Sequence, residues 1–137
     1  MSMKLVPYVN FSGNAEEALN FYAAVLGGEV VMLSRYGESP MPCEDADKQM
    51  IMHARVVFGE NMIMISDMPK KYPFSTTGNI QLSIGMDDPA EMEIVFNKMA
   101  EGGAVTMPLA DQFWGAKFGM VKDKFGVNWM FNCELKK

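Results

Sequence analysis

"NAEEALNFYAAVLGGEV", residues 14–30, reads as a helix with both ends marked. Asn14 is a residue type that caps helix N-termini, and Glu17 stands three positions on, where a carboxylate can reach back to the cap. Ala18, Tyr22 and Val25 recur at the spacing of one helical face, and Gly27 then supplies the positive φ at which helices stop. The same signals return in "DPAEMEIVFNKMAEGGAV", residues 88–105, with Asp88 as cap, Pro89 at the first helical position and Met92, Phe96 and Met99 as the stripe. Caps and stripes lie 74 positions apart, as 88 − 14 and 96 − 22 both give. "GGAV" follows "GGEV" by 75 (102 − 27), which predicts one extra residue in the second turn. A recurring period of this size sets the architecture.

Working outward, each predicted helix is preceded by one strand-like run, "LVPYVNF" or "NIQLSIG". Three more follow it: "EVVMLSRY", "MIMHARVVF" and "NMIMISD" in the first half, "AVTMPL", "FWGAKFGMVKD" and "GVNWMFN" in the second. The pattern is βαβββ twice, an α+β chain with modules expected at residues 1–75 and 76–137 as two repeats of one structural domain. "GESPMPCEDADKQ", residues 37–49, reads as an excursion between strands, and "MPKKYPFSTTG", residues 68–78, as the linker. Asp123 to Gly126 reads as a tight turn that makes the last two strands a hairpin.

Length and composition agree with a folded chain, since 137 residues with 49% hydrophobic and 21% charged side chains can bury a core without disulfides. A net charge of −5 argues against a nucleic-acid partner, which requires clustered cations. No apolar run is long enough to span a bilayer and no secretory signal pattern opens the chain, so a cytoplasmic location is expected. Cys43 and Cys133 offer no zinc spacing and are expected as thiols. Methionine is abundant, at 15 residues, and several of these surround two short strands between Met50 and Met68.

With tandem βαβββ modules, "VPYVNFSGNAEEALNFYAAVLGGEV", "IMHARVVFGENMIMISD" and the closing "FWG…FG…DKFG…W" run, the chain resembles the PhnB-like branch of the vicinal oxygen chelate superfamily. That superfamily includes glyoxalase I, extradiol dioxygenases, and fosfomycin and bleomycin resistance proteins. The resemblance implies mixed sheets curled around a cavity with helices outside, and a homodimer. It also implies where a divalent ion would be held: Val6 or Tyr8, then Met64, then Asn79 or Gln81, then Met130. None of these is a carboxylate or imidazole. Thioethers are weak ligands for hard divalent ions, although they suit copper(I). No metal and no other cofactor is therefore expected.

In "GVNWMFN", residues 126–132, Val127, Trp129 and Phe131 alternate with Asn128, Met130 and Asn132, so two faces are implied, one apolar and one turned to a cavity. Ser66 and Met64 share the cavity face of the fourth strand, and Asn79, Gln81 and Ser83 that of the fifth, with Ile80, Leu82 and Ile84 against a helix. Trp114 and Phe118 are expected on one face of the seventh strand, either stacking on a flat apolar ligand or packing on a helix, with Lys117 opposite. Arg35 and Arg55 are candidates for an anionic group.

His53, the one histidine, shares a strand face with Ile51 and Arg55. It reads either as a base or lone ligand at the cavity wall or as a hydrogen-bonded histidine on a half-buried strand, with no acid or thiol at partner spacing. The leading expectation is a small-molecule-binding protein with a degenerate metal site, sequestering an apolar or amphipathic ligand through Tyr8, Met64, Ser66, Asn79, Gln81, Trp114, Phe118, Asn128 and Met130. The alternative is a lyase or dioxygenase that recruits His53 with Glu44 or Asp45 from the excursion. A third reading is an interaction module without a small ligand. No glycine loop precedes a helix in the manner of a nucleotide site, and no nucleophile motif is present.

Overall fold

The computed structural model describes residues 5–71 and 80–135. The chain forms two compact units, Met1–Phe74 and Ser75–Lys137. The expected junction after residue 75 lies outside the described residues.

The first unit runs β1 (Tyr8–Phe11), α1 (Ala15–Leu26), β2 (Glu29–Arg35), β3 (Ile51–Phe58) and β4 (Asn61–Asp67). Its sheet has the order β1-β4-β3-β2, with β1 parallel to β4 and the other pairs antiparallel. The second unit repeats this: β5 (Leu82–Gly85), α2 (Pro89–Met99), β6 (Ala104–Asp111), β7 (Ala116–Lys122) and β8 (Asn128–Glu134), in the order β5-β8-β7-β6. The α+β class and the doubled βαβββ order are those expected. No helix among the described residues is long and apolar enough to cross a membrane.

The helices begin and end for the local reasons read from sequence, with one correction. Gly27 adopts φ 66°, and Gly28 N–H donates to Ala23 O at 2.8 Å to close α1. In the second unit Ala100 caps α2 and Gly102, φ 75°, makes the turn, which accounts for the extra residue. The Asp88 carboxylate accepts from Ala90 N–H and Glu91 N–H. Asn14, however, makes no side-chain cap bond. That role passes to Asp67, at the far end of β4, whose Oδ1 accepts from Gly13 N–H at 2.8 Å and Ala15 N–H at 3.0 Å while Oδ2 accepts from Ile51 N–H at 2.9 Å.

One face of each sheet is covered by its own helix. In the first unit Ala15, Ala18, Leu19 and Tyr22 of α1 are buried, as are Ala54, Val56, Ile63 and Ile65 of the sheet. In the second, Met92, Phe96 and Met99 are buried with Val121, Trp129 and Phe131. Trp129 is only 1% exposed, and its indole N–H donates to Asp123 Oδ2 at 2.8 Å. Gly119 on β7 permits the close seating of α2, because a Cβ there would stand 2.8 Å from the Phe96 ring and 3.1 Å from Leu109 Cα. The Asp123–Gly126 turn forms as expected, with Gly126 at φ 88°.

Some strand ends fall short of the sequence reading. β5 starts at Leu82, so Ile80, 70% exposed, does not pack on a helix. β7 starts at Ala116, and Phe113 and Trp114 belong instead to a turn closed by Gly115 N–H to Gln112 O at 3.1 Å. Gly115 sits there at φ 84°, a conformation that ends the preceding strand direction.

Candidate functional site

Strand alternation that sends Ile63 and Ile65 under α1 must turn Met62, Met64 and Ser66 to the opposite face, which is open at the half-buried Met62 and Met64 while Ser66 is buried. The pairing fixes what stands beside them. Tyr8 is opposite Met64, Met64 opposite Arg55, and Arg55 opposite Met32, giving one row across all four strands. In the next row Asn10 is opposite Ser66, and His53 is opposite Ser34. The Ser66 hydroxyl bonds to Asn10 Oδ1 at 3.0 Å.

His53 is the centre of this face. Its Nδ1 lies 3.0 Å from Tyr8 Oη, and its Nε2 accepts from Arg55 Nε at 3.1 Å. The two rings tilt at 49° with centroids 5.6 Å apart. Both imidazole nitrogens are therefore engaged by side chains of the same unit, as in the hydrogen-bonded reading of His53. Arg55 was legible as its neighbour at i+2 on a strand. Tyr8 was not, because 45 residues separate the pair and only β1–β4–β3 pairing brings them together.

The corresponding row of the second unit is Ser83 opposite Met130, Met130 opposite Met120, and Met120 opposite Met107. Phe118 is opposite Asn132, and Asn128 lies two residues before Met130 on the same face. Where the first unit places His53 and Arg55, the second places Phe118 and Met120, at offsets of 65 (118 − 53 and 120 − 55). Both faces carry thioethers and an aromatic ring, and the first adds the imidazole of His53 and the guanidinium of Arg55.

Several expected positions fall elsewhere. Asn79 lies outside the described residues. Gln81 precedes β5 and is exposed. Trp114 does not share a strand face with Phe118, yet the turn brings their rings to 5.8 Å, edge to face, and Phe113 packs edge-on against Trp114 at 5.1 Å. Lys117 points to the helix side and reaches Glu93 of α2 at 4.0 Å. Arg35 is held in a two-pronged pair with Glu16 of α1, at 3.0 and 2.7 Å, and also donates to Gln49 O. The hydrogen bond from Arg35 lowers the Glu16 pKa, outweighing a slight desolvation, and the same bond raises that of Arg35. Arg35 is thus committed within the fold, and Arg55 remains as the cation of the open face. Glu44 lines a separate cavity of about 250 Å³ with Tyr36, Met41, Cys43, Asp47 and Met52, and His53 is not among its walls. Asp45 pairs with Lys48 at 2.9 Å.

A divalent ion of the kind the superfamily holds does not fit these donors. Tyr8, Met64, Gln81 and Met130 supply no carboxylate or imidazole, and no cluster of three or more His, Cys, Asp or Glu suited to a metal occurs among the described residues.

Comparison with known proteins places this geometry. Residues 3–131 match the family described as 3-demethylubiquinone-9 3-methyltransferase. The chain is 32% identical to Protein YjdN of Escherichia coli (strain K12) over 140 residues, 95% of each. Its fold superposes on protein PA1353 from Pseudomonas aeruginosa with a TM-score of 0.91 at 45% identity, covering 98% of this chain and 100% of that one. It also superposes on a PhnB protein from Bacillus cereus, described as a putative 3-demethylubiquinone-9 3-methyltransferase, with a TM-score of 0.80 at 31% identity over 96% and 99%. At the level of fold alone it is similar to a glyoxalase family protein from Enterococcus faecalis, with a TM-score of 0.64 at 19% identity over 96% and 97%. The chain belongs to the family described as 3-demethylubiquinone-9 3-methyltransferase, of which a PhnB protein is a relative.

Proposed function

We propose that the protein binds a small apolar or amphipathic molecule on its open sheet faces and sequesters it without a metal ion. The observation that supports this is the pair of thioethers, Met64 and Met130, one on the last strand of each unit, at positions where the resemblance to the superfamily implies a metal-binding carboxylate. Methionine there offers a surface suited to dispersion contact and poor at holding a hard cation. Ligand contacts are assigned to Tyr8, Met64 and Ser66 in the first unit and to Trp114, Phe118, Asn128 and Met130 in the second. Asn79 lies outside the described residues, and Gln81, exposed just ahead of β5, is retained as a proposed contact.

The hydrogen bonding of His53 favours binding over the lyase or dioxygenase alternative, because coordinating a metal through either ring nitrogen requires breaking a bond to Tyr8 or Arg55. The protein is further proposed to act as a homodimer, to be checked by light scattering on the eluted peak. The binding reading is tested by elemental analysis of protein purified without chelators. The expected result is far less than one divalent ion per chain, whereas one zinc, nickel, manganese or iron per chain would overturn it.

A further inference from the structure

The hydrogen bonds on the open face of the first sheet have a fixed direction. An arginine Nε carries a proton at any accessible pH and can only donate, so His53 Nε2 must be the acceptor in the 3.1 Å contact. The neutral imidazole then carries its proton on Nδ1 and donates it to Tyr8 Oη across 3.0 Å. Two consequences follow at once. The Tyr8 phenol accepts from His53, so its own O–H remains available to donate. The guanidinium has its Nε edge occupied, and its end-on edge, Nη1 and Nη2, is left to meet a partner.

No described residue supplies that partner. Apart from His53, Arg55 has no hydrogen-bond or ion-pair partner among the described residues. Glu29 stands on the same face, opposite Val57 and two positions along from Arg55, and the two form no ion pair. Arg35, at the end of β2, is neutralised by Glu16. The repeat makes the difference visible, since the same two positions of the second unit hold Phe118 and Met120, which have no charge.

We propose that this face is an oxyanion seat, and that the small molecule bound by the protein is an organic carboxylate. Two carboxylate oxygens meet the end-on edge of Arg55, and a second acceptor on the same molecule receives the Tyr8 O–H. The two donors are separated by one imidazole and two hydrogen bonds, so the acceptor sits at the far end of a ring-sized spacer from the acid. His53 is a positioning residue: it touches neither group of the ligand but fixes both donors. The seat deepens the binding function proposed above and rests on it.

The test is titration calorimetry on the full chain with 4-acetylbenzoate, 4-acetylbenzamide and 4-ethylbenzoate, and with the neutral dye Nile red as a probe of apolar binding alone. The carboxylate should bind about tenfold or more tighter than the amide, the scale of a charge-assisted pair. Arg55→Ala should close that gap by weakening the acid far more than the amide, and Tyr8→Phe should erase the preference for the acetyl over the ethyl compound. His53→Ala should narrow both gaps, and His53→Gln, whose amide can accept from Arg55 and donate to Tyr8, should restore them. Equal affinity for acid and amide, or a gap that survives Arg55→Ala, overturns the seat. Binding of Nile red with none of the acids also overturns it while leaving the binding function standing, and binding of no compound at all removes both.

Discussion

Asp67 joins three parts of the first unit through one buried carboxylate. Its side chain receives the N–H groups of Gly13 and Ala15 at the start of α1 and of Ile51 at the start of β3, and its carbonyl accepts from the Tyr36 hydroxyl at 2.7 Å. Removing it strands three donors in a place where the side chain is 1% exposed. Asp67→Ala should therefore lower the unfolding free energy by roughly 3–5 kcal/mol, read as a lower urea midpoint at unchanged slope. Asn14→Ala, which removes no capping bond, should change it by less than about 0.5 kcal/mol. The reverse ranking would return the cap to Asn14. Sequence pattern favoured Asn14 because cap preferences are local, whereas the working carboxylate lies 52 residues away from Ala15 and becomes its neighbour only through sheet pairing.

At the scale of elements, each helix is seated on its sheet by a different device. In the second unit the seat is Gly119, and Gly119→Ala would force a methyl group against the Phe96 ring and the backbone of Leu109. Overpacking of this kind should destabilise by about 1–3 kcal/mol, measured by thermal or denaturant unfolding. In the first unit the Glu16–Arg35 pair ties α1 to the end of β2. The Glu16 pKa is lowered by its hydrogen bond to Arg35, so the pair stabilises the fold above the unfolded carboxylate value of about 4.3, and that contribution is lost as pH falls through the lower folded value. Glu16 is half exposed, so a double-mutant cycle at pH 7 should give a small favourable coupling, shrinking in high salt and vanishing in acid. A coupling that persists in acid would mean that the charges are not its source.

Across the whole molecule, the repeat was legible because its signals are local: a cap type, a helical stripe, a glycine pair and strand runs in the same order twice. The faces of the strands were legible too, since period-two alternation alone puts Trp129 and Phe131 inside and Met130 on the open side. The chemistry of the open faces was harder to read. His53 gains its meaning from Tyr8, and Arg35 loses its availability to Glu16, through contacts that span 45 and 19 residues. Trp114 was misplaced because "FWGAKFG" continues an apolar strand pattern in which Gly115 is free to turn the chain, and it does.

Binding without metal makes a definite demand on stability, because any compound that binds only the native chain must raise its unfolding midpoint in proportion to occupancy. The most direct measurement is the thermal unfolding midpoint of the metal-stripped full chain across a panel of apolar and amphipathic compounds, with zinc, nickel and manganese ions in parallel wells. A midpoint that climbs with the concentration of some organic compounds and ignores the ions is the predicted result. A chain that responds to a divalent ion alone, at roughly one equivalent, would contradict it.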